Sequence, residues 1–291
     1  MTEGSGLAAI SFGLAASLSW GTSDFSGGLA AKRAHIFAVM VGSYTMGLIL
    51  LFALAMGRTE AMPAARDLVW AGIAGLAGSV GLTAQYRALA VGRMGIAAPI
   101  AAVLGAAVPV MFSAITEGMP GTLQIAGFGV ALLGVWLIAR AQSGADSADQ
   151  ASAQPDARRG LGLAVIAGLG FGFFFILIDR VSSEAIFWPL IAARGTSLLM
   201  LLIIAQASRS QWQPPRAALP VILLAGVLDV GGNTFFVLAA QSGRLDVATV
   251  VSSLYPAMTV LLARAMLKEE IARVQGLGIM AALVAILLIA A

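Results

Sequence analysis

The sequence predicts an all-α polytopic membrane protein whose ten transmembrane helices form two inverted repeats of five. Three observations carry this. Of 291 residues, 59% are hydrophobic and 11% charged, with a mean hydropathy of +0.94, where soluble domains carry roughly 25% charged residues. The apolar residues fall into ten runs, each close to the roughly 20 residues a helix needs to cross the hydrocarbon. Finally, the second half of the chain repeats the first.

In chain order, the first run, 7–31, has no basic stretch before it and is too long for a signal peptide, so it is expected to remain as a helix. It ends at "KRAH", Lys32 to His35. Runs 36–57 and 68–91 are separated by "GRTEAMPAARD", and "GRMG" leads into 95–116, which contains Pro99 and Pro109. "EGMPG" precedes 122–140. The stretch Gln142 to Arg159, "QSGADSADQASAQPDARR", is too polar to build a core and reads as a flexible linker. Runs 160–179, 186–206, 217–241, 246–267 and 273–290 follow, divided by "DRVSSE", "SRSQWQPPR", "SGRLD" and "LKEEIAR". Each break holds the charges, prolines and glycines of a membrane interface. The chain therefore divides into a first repeat at 1–141, a linker at 142–159 and a second repeat at 160–291.

The duplication rests on one ungapped shift of 151 positions, which sets Trp20-Gly21 on Phe171-Gly172, Gly75 and Gly81 on Gly226 and Gly232, Ala88 on Ala239, Gly92-Arg93 on Gly243-Arg244, and Gln124 and Gly127 on Gln275 and Gly278. Five spans per repeat is an odd number, so the second copy enters the membrane from the opposite side. Inverted repeats around a midplane site are the architecture of secondary transporters.

Composition also excludes chemistry. There is no cysteine, which removes disulfides, thiolate metal sites and thiol nucleophiles. The one histidine, His35, sits at a segment boundary, so no buried base is available to a serine nucleophile. No phosphate-binding G-x-x-x-x-G-K-[ST] loop occurs, and the only lysines are Lys32 and Lys268. The net charge of +3 lies in short loops, so no nucleic-acid partner is expected, and neither a cofactor nor a metal site.

"SWGTSDF" in the first run, and Ser252 to Ile289, "SSLYPAMTVLLARAMLKEEIARVQGLGIMAALVAILLI", resemble the drug/metabolite transporter superfamily in its EamA-type branch. The signature is a proline-containing helix followed by Glu269, with Gln275 and Gly278 opening the last helix. Pro109, Glu117, Gln124 and Gly127 repeat it in the first half. The resemblance covers nearly the whole chain. It implies a ten-helix carrier that exports amino acids or other small metabolites through a central cavity between the halves.

Ionisable residues well inside the spans are costly and mark pathways or pairs, at least ~2.5 kcal/mol for a charge at the bilayer centre. They are Asp24, Arg194 and Asp229, with Arg87 and Arg264 nearer the helix ends. Ser17, Trp20, Asp24 and Gly27 share one face of the first helix, and Asp229, Asn233 and Phe236 share one face of the eighth. The third helix carries Gln85 and Tyr86 at the related level. The repeat sets Asp24 on Phe175, so this charge belongs to one half alone. These faces, with Arg194, Ser252 and Tyr255, are expected to line a site where aromatic rings and a few polar groups hold an amphipathic solute; the competing expectation is a static ion pair between Arg194 and one aspartate. A desolvated carboxylate can take up and release a proton, which a neighbouring arginine opposes, so one aspartate at most is free for coupling, and Asp24 is the candidate. Asp229 is the candidate for a substrate ammonium. Pro256 frees the Ser252 carbonyl among Thr249, Ser252, Ser253 and Tyr255, and Pro99, Pro109 and Pro256 are candidate hinges. Glu117 and Glu269 are expected to be interfacial.

The expected activity is therefore secondary active transport of a small-molecule solute across a lipid bilayer, the plasma (inner) membrane, with protons as the coupling ion and a monomer or homodimer as the working unit. It is not expected to be an enzyme. The alternatives are an intramembrane enzyme acting on lipid or prenyl substrates, for which "KEE" at a helix end is a poor metal or diphosphate site, and a passive channel or scaffold. The resemblance implies cytoplasmic termini. The loop cations imply the reverse, because Lys32, Arg33, Arg93, Arg140, Arg158, Arg159, Arg209, Arg216, Lys268 and Arg273 gather on the face away from the termini, against Arg58, Arg66, Arg180 and Arg244.

Overall fold

The structure, a computed structural model, describes residues 3–91, 94–146, 157–181, 185–268 and 271–290, with side chains described at all of these except 3–5, 86, 89–91, 94–99, 140–146, 157 and 158. The described residues form helices and connecting turns, with no strand among them. The helices are α1 (Glu3–Ala31), α2 (Ile36–Gly57), α3 (Ala65–Val91), α4 (Met94–Thr116), α5 (Thr122–Asp146), α6 (Ala157–Asp179), α7 (Phe187–Ala207), α8 (Leu219–Ser242), α9 (Leu245–Ser252), α10 (Tyr255–Leu267) and α11 (Arg273–Ala290). Large apolar side chains such as Leu7, Leu18, Ile49, Ile115 and Leu287 point outward, as a lipid-facing surface requires.

Two expectations are corrected. The ninth predicted segment is two helices, α9 and α10, separated by Ser253 and Leu254. Pro256, in the first turn of α10, has no N–H for the Ser252 carbonyl and its ring crowds the preceding turn. The chain turns there through Ser253 N–H donating to Thr249 O (2.9 Å) and Leu254 N–H donating to Val251 O (3.3 Å). By contrast α4 runs unbroken past Pro99 and Pro109. The linker is also shorter than predicted, since α5 extends to Asp146 and α6 starts at Ala157.

Packing repeats with the halves exchanged. Helix α1 lies along α8 as α6 lies along α3; α1 crosses α9 and α10 as α6 crosses α4; α2 meets α8 as α7 meets α3. The self-related pairs α2·α7 and α5·α11 complete a two-fold arrangement. Individual residues obey the same shift. A Cβ on Gly232 would lie 2.3 Å from Trp20 Cδ1, and one on Gly81 would lie 3.0 Å from Phe171 Cδ1. Gly127 is pressed on Ile289 and Gly278 on Ile138, each at 2.7 Å for a built Cβ. Gln124 Oε1 accepts from Gly121 N–H (3.2 Å) and Gln275 Oε1 from Ala272 N–H (2.9 Å), capping the first turns of α5 and α11.

With ten spans, α1 begins and α11 ends on one face, here the terminal face, opposite the linker face. Loops of the terminal face are tied across the halves. The Glu60 carboxylate accepts from Ile186, Phe187 and Trp188 N–H at 2.7–3.2 Å, satisfying the first amides of α7 and complementing its dipole. Arg244 donates to Asp246 Oδ2 (2.7 Å) and, across the boundary, to Gly118 O (2.7 Å) and Glu117 O (3.3 Å). That carboxylate hydrogen bond holds the guanidinium above its ordinary range. Arg180 lies 4.7 Å from the Phe112 ring centroid, a cation–π contact.

Candidate functional site

Near the middle of the molecule α2, α7 and α8 bring together one cation and its partners. Arg194, 7% exposed, donates from Nη2 to Asp229 Oδ2. Its Cζ sits 4.4 Å from the centroid of the Tyr44 ring. Gly47 makes room for it, since a Cβ there would lie 3.3 Å from Cζ. Asn233, one turn along α8, donates to Asp229 O (2.7 Å) and Oδ2 (3.3 Å). Arg194 Nη1 is buried with no hydrogen-bond partner among the described residues. A buried guanidinium is tolerated at this depth because it is paired, and its unpartnered Nη1 is a donor without an acceptor among the described residues.

Asp24 lies within electrostatic range of Asp229 and Tyr44 but makes no hydrogen bond or ion pair among the described residues. It is solvent-exposed. That exposure is not to lipid, because Asp24 is about 120° around α1 from outward-facing Leu18 and on the side of Trp20 and Gly27. Along this side Ser17 and Gly21 are buried while Asp24 and Gly28, nearer the linker face, are exposed. Beneath Asp24, on the terminal side, four rings pack together. Trp20 stacks with Phe236 (5.9 Å), lies 5.9 Å from Phe175 and meets Tyr255 edge-on at 6.4 Å, and Phe175 lies 4.7 Å from Phe236.

Residues 7–140 and 158–291 each match the model of the EamA-like transporter family. The chain belongs to that family. An uncharacterized protein of Methanocaldococcus jannaschii is 28% identical to it over 129 residues, 44% of this chain and 93% of that one, so that relative is about one repeat long. A protein of known crystal structure, 17% identical, superposes over 96% of both chains with a TM-score of 0.74, a likeness of fold. The chain is thus a multi-pass membrane transporter of the drug/metabolite type, with a bilayer around it and a small-molecule solute as cargo.

Within this EamA-like transporter, Trp20, Phe236 and Tyr255 meet in the ring cluster, and Arg194, Asp229 and Asn233 meet above it with Asp24 nearby. The expected ion pair forms, and Asp229 is the aspartate it takes. Asp229 is thus paired in this state, and its expected role towards a substrate ammonium stays an expectation. Gln85 is separate: it lies on α3, half-buried, with a buried unpartnered Oε1. Ser252 is fully buried at the end of α9. The side chains of Tyr86 and Pro99 and all of Glu269 lie outside the described residues. Tyr44, Phe175, Glu60 and the Arg244–Asp246 pair were not singled out from sequence. A tyrosine in mid-span was the one available signal for Tyr44; the loop contacts leave no periodic trace.

Proposed function

We propose that the chain exports a zwitterionic or cationic small metabolite, an amino acid first among them, by alternating access coupled to protons at Asp24. The observation that supports this most is the charge balance of the site, where two carboxylates share one guanidinium. Arg194 and Asn233 hold Asp229, which leaves Asp24 exposed and uncompensated. A proton or a substrate ammonium can neutralise it, and the two then compete, which is the requirement for exchange of one against the other. Arg194 Nη1 offers a donor for a carboxylate, and the rings around Trp20 an apolar surface for the rest of the solute. A phosphorylated cargo would call for several cations, and the described site has one.

The tied loops of the terminal face and the exposed Asp24 on the linker side of the ring cluster support a carrier closed towards the termini and open towards the linker. On the orientation that family membership favours, with cytoplasmic termini in the plasma (inner) membrane, this is the outward-open state, and a reporter fused to the C-terminus tests it. The chain is read as a monomer or homodimer. Proteoliposomes loaded with single amino acids test the function: saturable uptake stimulated by the same solute inside supports a carrier, whereas flux without such stimulation means a channel, and no flux for any amino acid removes this substrate class.

A further inference from the structure

Among the described residues Ser113 is unpartnered on α4, whereas most other buried hydroxyls bond a carbonyl, Ser26, Ser43 and Ser79 one turn earlier and Ser23 and Ser197 across helices, all at 2.8–2.9 Å. Thr249 and Ser252 do not. Both are 0% exposed and both hydroxyl oxygens lack any hydrogen-bond partner among the described residues. They lie three residues apart on α9, on the side that carries Leu245 and Ala248 into the cluster with Trp20 and Phe236, away from Val247, Val250 and Val251, which join the other core cluster. A third oxygen is added by the chain break, because Pro256 leaves the Ser252 carbonyl without its usual donor. The Ser253 hydroxyl does not compete, since it donates to Val250 O (2.7 Å).

We propose that this break is a sodium site, with Thr249 Oγ1, Ser252 Oγ and Ser252 O as protein ligands. The set is all oxygen and carries no formal charge. The one carboxylate on α9, Asp246, is already neutralised by Arg244. A divalent ion would need carboxylates, while a monovalent ion can be held by hydroxyls and the carbonyls of an interrupted helix. The C-terminal end of α9 turns the negative end of its dipole to the same place. Both hydroxyls are enclosed by packed helices, where the spacing of the oxygens sets the size of ion held, and sodium is the smaller of the common monovalent ions. The site lies on the terminal side of Asp24, against the ring cluster, so it is separate from the proton-binding carboxylate.

The test needs no solute and is therefore distinguishable from failure of the transport reading. The melting temperature of the full chain in detergent is measured at constant ionic strength in sodium, potassium and choline chloride. A saturating rise of about 2–4 °C or more in sodium alone is expected, and it should be lost in Thr249→Val and Ser252→Ala. Pro256→Ala, which restores a donor to the carbonyl, should weaken it. If Ser252→Ala does not fold, the other two variants carry the test. An equal rise in potassium or choline, or a sodium response that survives in the variants, overturns the assignment.

Discussion

At Asp229 two neighbours donate to one carboxylate, and the outcome decides what Asp24 is free to do. Arg194 and Asn233 both donate to it, so the static pair anticipated for this helix pair exists, but it spares Asp24. Breaking it from one side leaves a guanidinium 6% exposed with no counter-charge, a loss of about 3–5 kcal/mol for a buried pair. Asp229→Asn should therefore lower the detergent-unfolding temperature strongly, while Asp229→Asn combined with Arg194→Gln should recover much of the loss; equal losses in the single and double variants would show no coupling between them. The charges were legible in the sequence because an ionisable residue inside an apolar run stands out by its cost. Tyr44 was not, because a ring in an apolar helix looks the same whether it packs on lipid, on leucine or on a guanidinium.

Close approach between helices rests on glycines that the repeat pairs. A Cβ on Gly75 would lie 2.0 Å from the Ala193 carbonyl oxygen, and one on Gly226 2.4 Å from that of Ser43, so the glycines let α3 approach the backbone of α7 and α8 that of α2. Gly75→Ala and Gly226→Ala should each destabilise by about 1–3 kcal/mol, read as a fall in melting temperature, whereas Gly276→Ala, with open space at its Cβ, should change little. The 151-residue shift read from these glycines is the register in which the helices pack, since Gly232 on Trp20 mirrors Gly81 on Phe171. The break between α9 and α10 was legible only as a kink at Pro256. A proline marks the lost hydrogen bond, while the extent of unwinding depends on what else satisfies the turn, here the bonds from Ser253 and Leu254.

Across the whole molecule, loops of one half bond to the other on the terminal face. Arg244 reaches the 117–118 turn and Glu60 caps α7, and both contacts must part if the halves are to exchange conformations. Such links between distant loops have no sequence periodicity, so only the structure shows them. Because the chain has no cysteine, a single cysteine at Val237, 8% exposed beneath this face, is a clean reporter. Arg244→Ala should raise its labelling by a water-soluble thiol reagent several-fold, and unchanged labelling would remove Arg244 as a latch. The central claim concerns Asp24 as the exchange site. In proteoliposomes under an imposed pH gradient, the chain should move an amino acid against its concentration gradient, and Asp24→Asn should abolish that response while retaining normal expression and folding. Unaltered gradient-driven transport in Asp24→Asn would contradict it.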